Sequence, residues 1–273
     1  MQITSAMKMV SAAKLKRATD AITRMRPYAV KLQALLSNVS ASLDTSENAF
    51  AQVREGNKTL FIAIASNRGL AGAFNNNIVK AYKEYTTSNK EEISVLSVGK
   101  RMDDHFKKGT SSVTEAFGVN AKGVFDDLNF TNVGNIAQKV MDAYLAGDYD
   151  KVVICYNSFK NAATQIIKTE QLLPIMPAES VENETSSVEY IFNPSKEEIV
   201  QDLIPKSLKI HLYKAILDSH ASEHGARMTA MHKATDNAGE LRDALKLTYN
   251  KARQASITNE ILEIVGGAEA LND

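Results

Sequence analysis

Apolar residues near the start of the chain fall at Leu15, Ala18, Ile22, Met25, Ala29, Leu32, Leu36, Val39 and Leu43. The steps alternate strictly between 3 and 4. That spacing draws one narrow apolar stripe along a helix, the seam of a coiled coil. Pro27 lies off the stripe. It removes a backbone donor and crowds the preceding turn, which predicts a kinked but continuous helix, with a break at that point as the alternative. A second stripe runs through Leu217, Ala221, His224, Met228, Met231, Thr235, Ala238, Leu241, Leu245, Thr248, Ala252, Ala255, Asn259 and Leu262. Its phase slips once, at Ala238–Leu241, and such slips alter supercoiling locally. Ala, Thr, His and Asn dominate it, so it predicts a close contact that is weakly held.

A different pattern occupies the middle. β-branched apolar runs recur at Leu60–Ala65, Ile93–Val98, Val152–Tyr156, Ile166–Leu173 and Val188–Phe192. Helical stretches separate several of them, at Asn75–Thr86, Arg101–Lys107 and Thr131–Ala146. Strands alternating with helices predict a βαβ-type sheet. Pro177–Ser187 is polar and acidic and reads as a loop.

These patterns predict an α/β fold: an antiparallel two-helix coiled coil formed by long N- and C-terminal helices, with a Rossmann-like α/β domain inserted between them. The expected divisions are 1–46, 58–193 and 196–271. A proline-free helix from Lys206 to about Ala270 would be roughly 100 Å long. No compact domain buries a rod of that length, so it needs a partner helix or a surrounding protein. With Leu43 set near residue 210, antiparallel pairing puts Met1 near residue 255, and the last turns project by about 20 Å.

Charge and composition narrow the function classes. The 273 residues balance 32 basic against 32 acidic side chains, but unevenly. Seven basic residues (Lys8, Lys14, Lys16, Arg17, Arg24, Arg26, Lys31) meet two acidic ones (Asp20, Asp44) before residue 46, a local charge of +5. Such a helix suits an acidic surface, or is a solvated face. No apolar run reaches the ~18 residues that span a bilayer, so no direct membrane insertion is expected, and no nucleic-acid partner. The start carries no secretory pattern. A single cysteine, Cys155, excludes an internal disulfide.

Three stretches invite chemical readings. Ser66-Asn67-Arg68-Gly69-Leu70-Ala71-Gly72 follows a strand and precedes a helix, as a phosphate-cradling turn would. It matches neither the P-loop nor G-x-G-x-x-G, and otherwise reads as a tight turn in which Asn67 or Arg68 ties down backbone groups. His220-Ala221-Ser222-Glu223-His224 fits H-x-x-E-H, a zinc-hydrolase pattern; its two histidines share a helix face, but no third ligand is apparent. Cys155 sits in an apolar strand, where thiols are usually inert.

Three motifs carry a resemblance. They are Ile3-Thr4-Ser5-Ala6-Met7-Lys8-Met9-Val10-Ser11-Ala12-Ala13-Lys14-Leu15, then Ser66 to Asn75, and at the C-terminus Ile257, Thr258, Glu260, Glu263, Gly267 and Ala268, led by Arg253-Gln254-Ala255-Ser256. In this order and spacing the chain resembles the gamma subunits of F-type ATP synthases over its whole length. Members carry about seventeen more residues before the Ile3 motif, so the chain is expected to lack that stretch. Asn67 and Ala71 depart from the usual residues. The chloroplast type of cysteine-pair regulation is not supported by a lone Cys155.

The resemblance implies a rotor without catalytic residues or cofactor. Its shaft would turn inside a hexamer of alpha and beta subunits, its base would meet an epsilon-type subunit and the membrane c-ring, and the whole would sit on the cytoplasmic side of a bacterial inner membrane. It assigns beta-subunit contact to Met7, Lys8, Lys14, Arg253 and Gln254, which the estimated register places near one another. It gives the tip signature to Ile257, Thr258, Glu260, Glu263, Gly267 and Ala268. It gives ring contact to Tyr190, Phe192 and Asn193, residues that also read as a plain edge strand ending at Pro194. A non-rotary coiled-coil scaffold and an H-x-x-E-H hydrolase are the alternatives.

Overall fold

The computed structural model describes residues 1–40, 49–54, 56–107, 112–175 and 196–269. The strands β1 (Lys58–Ile64), β2 (Glu92–Val98), β3 (Lys151–Phe159) and β4 (Gln165–Leu173) form one sheet in the order β2-β1-β3-β4. β1 lies parallel to both β2 and β3, while β4 returns antiparallel to β3. These four match four of the five expected runs. The fifth, Val188–Phe192, and the expected loop Pro177–Ser187 lie outside the described residues.

Helices cover both faces of the sheet, which explains why β1 and β3 read as near-continuous apolar runs. Leu60, Ile62 and Ile64 of β1 and Val152, Ile154 and Tyr156 of β3 point to one side. There they meet Val133, Ile136, Ala137, Val140 and Tyr144 of α4 (Phe130–Ala146) and Ile204, Leu208, Leu212 and Ile216 of α5 (Lys196–Glu269). Phe61, Ala63, Val153 and Cys155 point to the other side. That layer is closed by Phe74, Ile78 and Ala81 of α2 (Phe74–Ser88) and by Met102 and Phe106 of α3 (Lys100–Phe106). The two-residue period of the strands thus sorts one chain into two cores. Gly99, at φ 99°, brings the start of α3 against β1; a Cβ there would stand 2.3 Å from the Ala65 carbonyl oxygen.

The first helix, α1, spans Gln2–Ser40 and passes through Pro27 without a break. α5 is 74 residues long, about 110 Å. It runs through Pro205 rather than starting after it, because Ile204 and Leu208 on either side are buried in the sheet core and hold the turn in place. One helix therefore does three things. Residues 204–216 are part of the α/β core. Leu217 and Ala221 then pack on Ala18 and Ile22 of α1. From 241 to 268 every residue is exposed.

Candidate functional site

The antiparallel register follows from three contacts. Ala18 and Ile22 cluster with Ala221 and Leu217. The Thr235 hydroxyl donates to the Thr4 hydroxyl at 2.8 Å. Met1 lies against Gly239, its methyl 3.5 Å from where a Cβ would stand, and its sulfur accepts from Arg242 Nη1 at 3.7 Å. Residue pairs across the seam thus add to about 239, so Met1 faces residue 238 or so and not residue 255. The estimated register is corrected by about sixteen residues, or some 24 Å. The register expected from the sequence rests on Leu43, which lies outside the described residues. Small side chains along the seam permit a slide of whole heptads without losing the pattern. Which slide occurs is decided by α5 being pinned lower down in the sheet core.

The assigned contact residues consequently separate. Met7 and Lys8 are half-buried on α1, and Lys14 is exposed. Arg253 and Gln254 stand about 30 Å further along α5 than the residues facing Met7, so the structure does not bring them together. Arg253, Gln254, Ile257, Thr258, Glu260, Glu263, Gly267 and Ala268 all lie on the bare section of α5. There the Thr258 hydroxyl donates to the Gln254 carbonyl at 2.8 Å. The upper part of the second stripe, from Leu241 to Leu262, is exposed. Tyr190, Phe192 and Asn193 lie outside the described residues.

The middle motif, Ser66 to Asn75, folds as the tight turn. Ser66 N–H donates to Asn75 Oδ1 at 3.1 Å, and Lys100 N–H donates to Asn67 Oδ1 at 3.0 Å. Leu70 takes a left-handed conformation, φ 62°. The turn leaves the carboxyl end of β1, whose neighbours β2 and β3 lie on opposite sides. In open α/β sheets that is the crevice where ligands usually bind. Here α5 fills it. Arg227 Nη2 donates to the Arg68 carbonyl at 3.1 Å and the Gly69 carbonyl at 3.3 Å, and Nε donates to Gly69 at 3.4 Å. The shallow cavity that remains beside the turn, about 330 Å³, is lined by Gly69, Leu70, Asn75, Arg101 and Asp104 among others.

The same guanidinium explains the H-x-x-E-H pattern. Glu223 forms a 2.6 Å ion pair with Arg227, and both side chains are more than nine-tenths buried. Burial pushes the Glu223 carboxyl above its ordinary range while Arg227 draws it back. Arg227 Nη1 lies 3.4 Å from His224 Nδ1, and His224 Nε2 lies 3.1 Å from His220 Nε2. Arginine only donates, so His224 Nδ1 accepts, and its Nε2–H donates to His220 Nε2. Burial, with the charges of Lys14 and Arg227, holds His220 down at about 4. Burial and the neighbouring His220 hold His224 at about 3. Both rings are neutral and committed to this chain of hydrogen bonds. No group of three or more possible metal ligands occurs among the described residues, and the pattern's Glu is bound to Arg227. Sequence reading named His220, Glu223 and His224 but missed Arg227. Its only signal was the i, i+4 spacing from Glu223.

Cys155 is fully buried, and burial raises its thiol to about 11. No described helix is long and apolar enough to cross a membrane.

A family model described as ATP synthase matches residues 1–271. The chain aligns at 61% identity with the ATP synthase gamma chain of Flavobacterium psychrophilum, covering 99% of this chain and 93% of that one. The chain belongs to the ATP synthase gamma chain family. The gamma chain of Flavobacterium johnsoniae is 60% identical, with 100% and 94% covered. Among solved structures, the central stalk and c-ring of the Tetrahymena thermophila mitochondrial ATP synthase matches with a TM-score of 0.64 at 25% identity, over 85% of this chain and 99% of that one. The Euglena gracilis mitochondrial rotor shares the fold, with a TM-score of 0.62 at 22% identity over 94% and 93%. Family membership, the two-helix coiled coil and the inserted α/β domain together make this chain a central-stalk rotor subunit. Neither the hydrolase nor the non-rotary scaffold finds support in these relatives.

Proposed function

We propose that this chain is the non-catalytic axle of a bacterial ATP synthase, turning inside a hexamer of alpha and beta subunits. Its α/β domain would face an epsilon-type subunit and the membrane c-ring, on the cytoplasmic side of the inner membrane. The observation that carries this reading is the bare section of α5. From 241 to 268 a helix about 40 Å long stands exposed, with Leu241, Leu245, Ile261 and Leu262 open to solvent. An isolated helix of that kind gains little from propensity alone, and its apolar side chains call for a surrounding protein.

Met7, Lys8 and Lys14 would meet the beta subunits at one level of the axle, and Arg253 and Gln254 at a higher one. Two levels of contact hold an axle straight where one would let it tilt. Solvated charge pairs contribute only about 0–1 kcal/mol each, which suits a rotating contact: every further ~1.4 kcal/mol in the deepest angular well slows escape tenfold. The axle is asymmetric, two helices below residue 239 and one above. Each beta subunit therefore meets a different surface, and its conformational equilibrium is biased accordingly. Tyr190, Phe192 and Asn193 remain the proposed ring contact.

Co-expression with alpha and beta subunits tests the reading. A defined complex that hydrolyses ATP, and loses that activity when α5 is cut back to residue 240, is expected. A complex of alpha and beta alone that is indifferent to this chain would reject it.

A further inference from the structure

We infer that Arg227 is a positioning residue that clamps the axle in the α/β domain and so sets the length of shaft free to twist; this rests on the rotor reading above. Below residue 217, α5 is held by burial of Leu208, Leu212 and Ile216 in the sheet core. Above 231 its described contacts are with α1 and then with solvent. Between these limits two loops grip it from different elements. On one side is the β1–α2 turn, whose Arg68 and Gly69 carbonyls accept from Arg227. On the other is the β3–β4 turn. There Thr229 Oγ1 donates to the Ala162 carbonyl at 3.1 Å, and Gly225 lies so close to Ala162 that a Cβ would stand 3.2 Å from its backbone.

Arginine fits this task better than other residues. Its planar fork reaches two adjacent carbonyls at fixed angles, whereas a lysine ammonium offers no preferred plane. Glu223, one turn below, neutralises the buried charge at 2.6 Å and keeps the guanidinium from rotating away. The loop it holds is itself tied to α2 and α3 through Asn75 and Asn67. Torque applied to the domain thus reaches α5 at residue 227 as well as through the core below.

The consequence is mechanical. Angular variance of a thermally twisting rod grows in proportion to its free length. Measured to residue 269, the length of α5 beyond the domain's grip is about 57 Å from 231 and about 78 Å from 217, the second being the limit reached only if the Ala162 contacts are lost together with Arg227. Opening the clamp should raise the variance, by at most about 1.4-fold.

The test uses the assembled complex with alpha and beta subunits immobilised and an optical probe on the α/β domain. Arg227→Met combined with Glu223→Gln removes both charges and leaves neither buried alone. This variant is expected to assemble, to hydrolyse ATP, and to show a rise in angular variance of up to about 1.4-fold. Adding Ala162→Cys and Thr229→Cys to it should return the variance to the unmodified value on oxidation, and release it again on reduction. An unchanged variance, or a rise that oxidation does not reverse, overturns the clamp. Should the double variant fail to assemble, Arg227→Lys, which keeps the charge but not the fork, must show a smaller rise, and none would overturn it. Failure of the unmodified chain to assemble at all would reject the rotor reading instead.

Discussion

Thr235 donates its hydroxyl to that of Thr4 at 2.8 Å, across the two long helices, and also lies 2.8 Å from the Met231 carbonyl one turn below. This pair lies one turn below the upper end of the contact, where Met1 meets Gly239 and Arg242. Below it the seam closes on Ala18, Ile22, Leu217 and Ala221. Beyond Arg242 α5 is exposed on all sides.

The register can be checked by cross-linking. Thr4→Cys with Thr235→Cys should form a disulfide under mild oxidation, because facing helix positions bring the Cα atoms within reach. Met7→Cys with Arg253→Cys should not, since about 30 Å separates those levels. Mobility on a non-reducing gel reads both. Cross-linking of the second pair alone would restore the slid register.

The small residues of the seam set how closely the helices approach. Ala221 is fully buried between them. Ala221→Leu should destabilise the fold by about 1–3 kcal/mol through overpacking, and Ile22→Ala by about 2–5 kcal/mol through a cavity. Urea unfolding of the chain measures both; a neutral Ala221→Leu would mean that the helices separate freely.

Acid should weaken the fold in two overlapping windows. His220 and His224 titrate near 4 and 3 in the fold against an ordinary 6.5. As the pH falls from 6.5 towards 3 the unfolded chain takes up protons that the folded one refuses, so stability present above 6.5 declines. Glu170 is held at about 2, chiefly by its hydrogen bond with His211 and also by Lys168. Its contribution is present above 4.5 and lost as the pH falls towards 2. Replacing both histidines with Gln should flatten the upper window and leave the lower one. A stability curve that is level from pH 6.5 to 4 in the unmodified chain would refute the histidine assignment.

Cys155 should resist alkylation at pH 8, since its thiol is fully buried and raised to about 11. Mass spectrometry after iodoacetamide treatment should find it modified only in denaturant. Rapid labelling of the folded chain would place it elsewhere than in the sheet core.

Arg253 makes a cleaner probe of the axle's upper contact than of stability. It is exposed on the bare section of α5. Arg253→Glu should lower ATP hydrolysis by the complex while shifting stability of the isolated chain by less than about 0.5 kcal/mol. Full turnover in the variant complex would remove Arg253 from the proposed contact set.

Periodicity alone made the architecture legible. The alternation of 3 and 4 places α1 and α5, and four β-branched runs lie within a few residues of β1 to β4. Both are properties of a local window, since burial on one helical face or on both faces of a strand imprints a period on the sequence. The H-x-x-E-H pattern shows the limit of such windows. The same four-residue spacing serves a metal, or an arginine one turn further on, and only the position of the β1–α2 turn distinguishes them.

Legible in the sequence are the two long helices that flank an α/β domain, the lack of any apolar run of the ~18 residues that span a bilayer, and the motifs that mark the family. Tertiary structure alone decided the register of the two helices, the separation of Met7 from Arg253, and the role of Arg227. Each of these depends on contacts between residues far apart in the chain. A seam of small residues is nearly as well satisfied after a slide of one or two heptads, so its pattern does not choose among registers. The choice is made at the sheet, where Leu208, Leu212 and Ile216 fill a core that admits one position only.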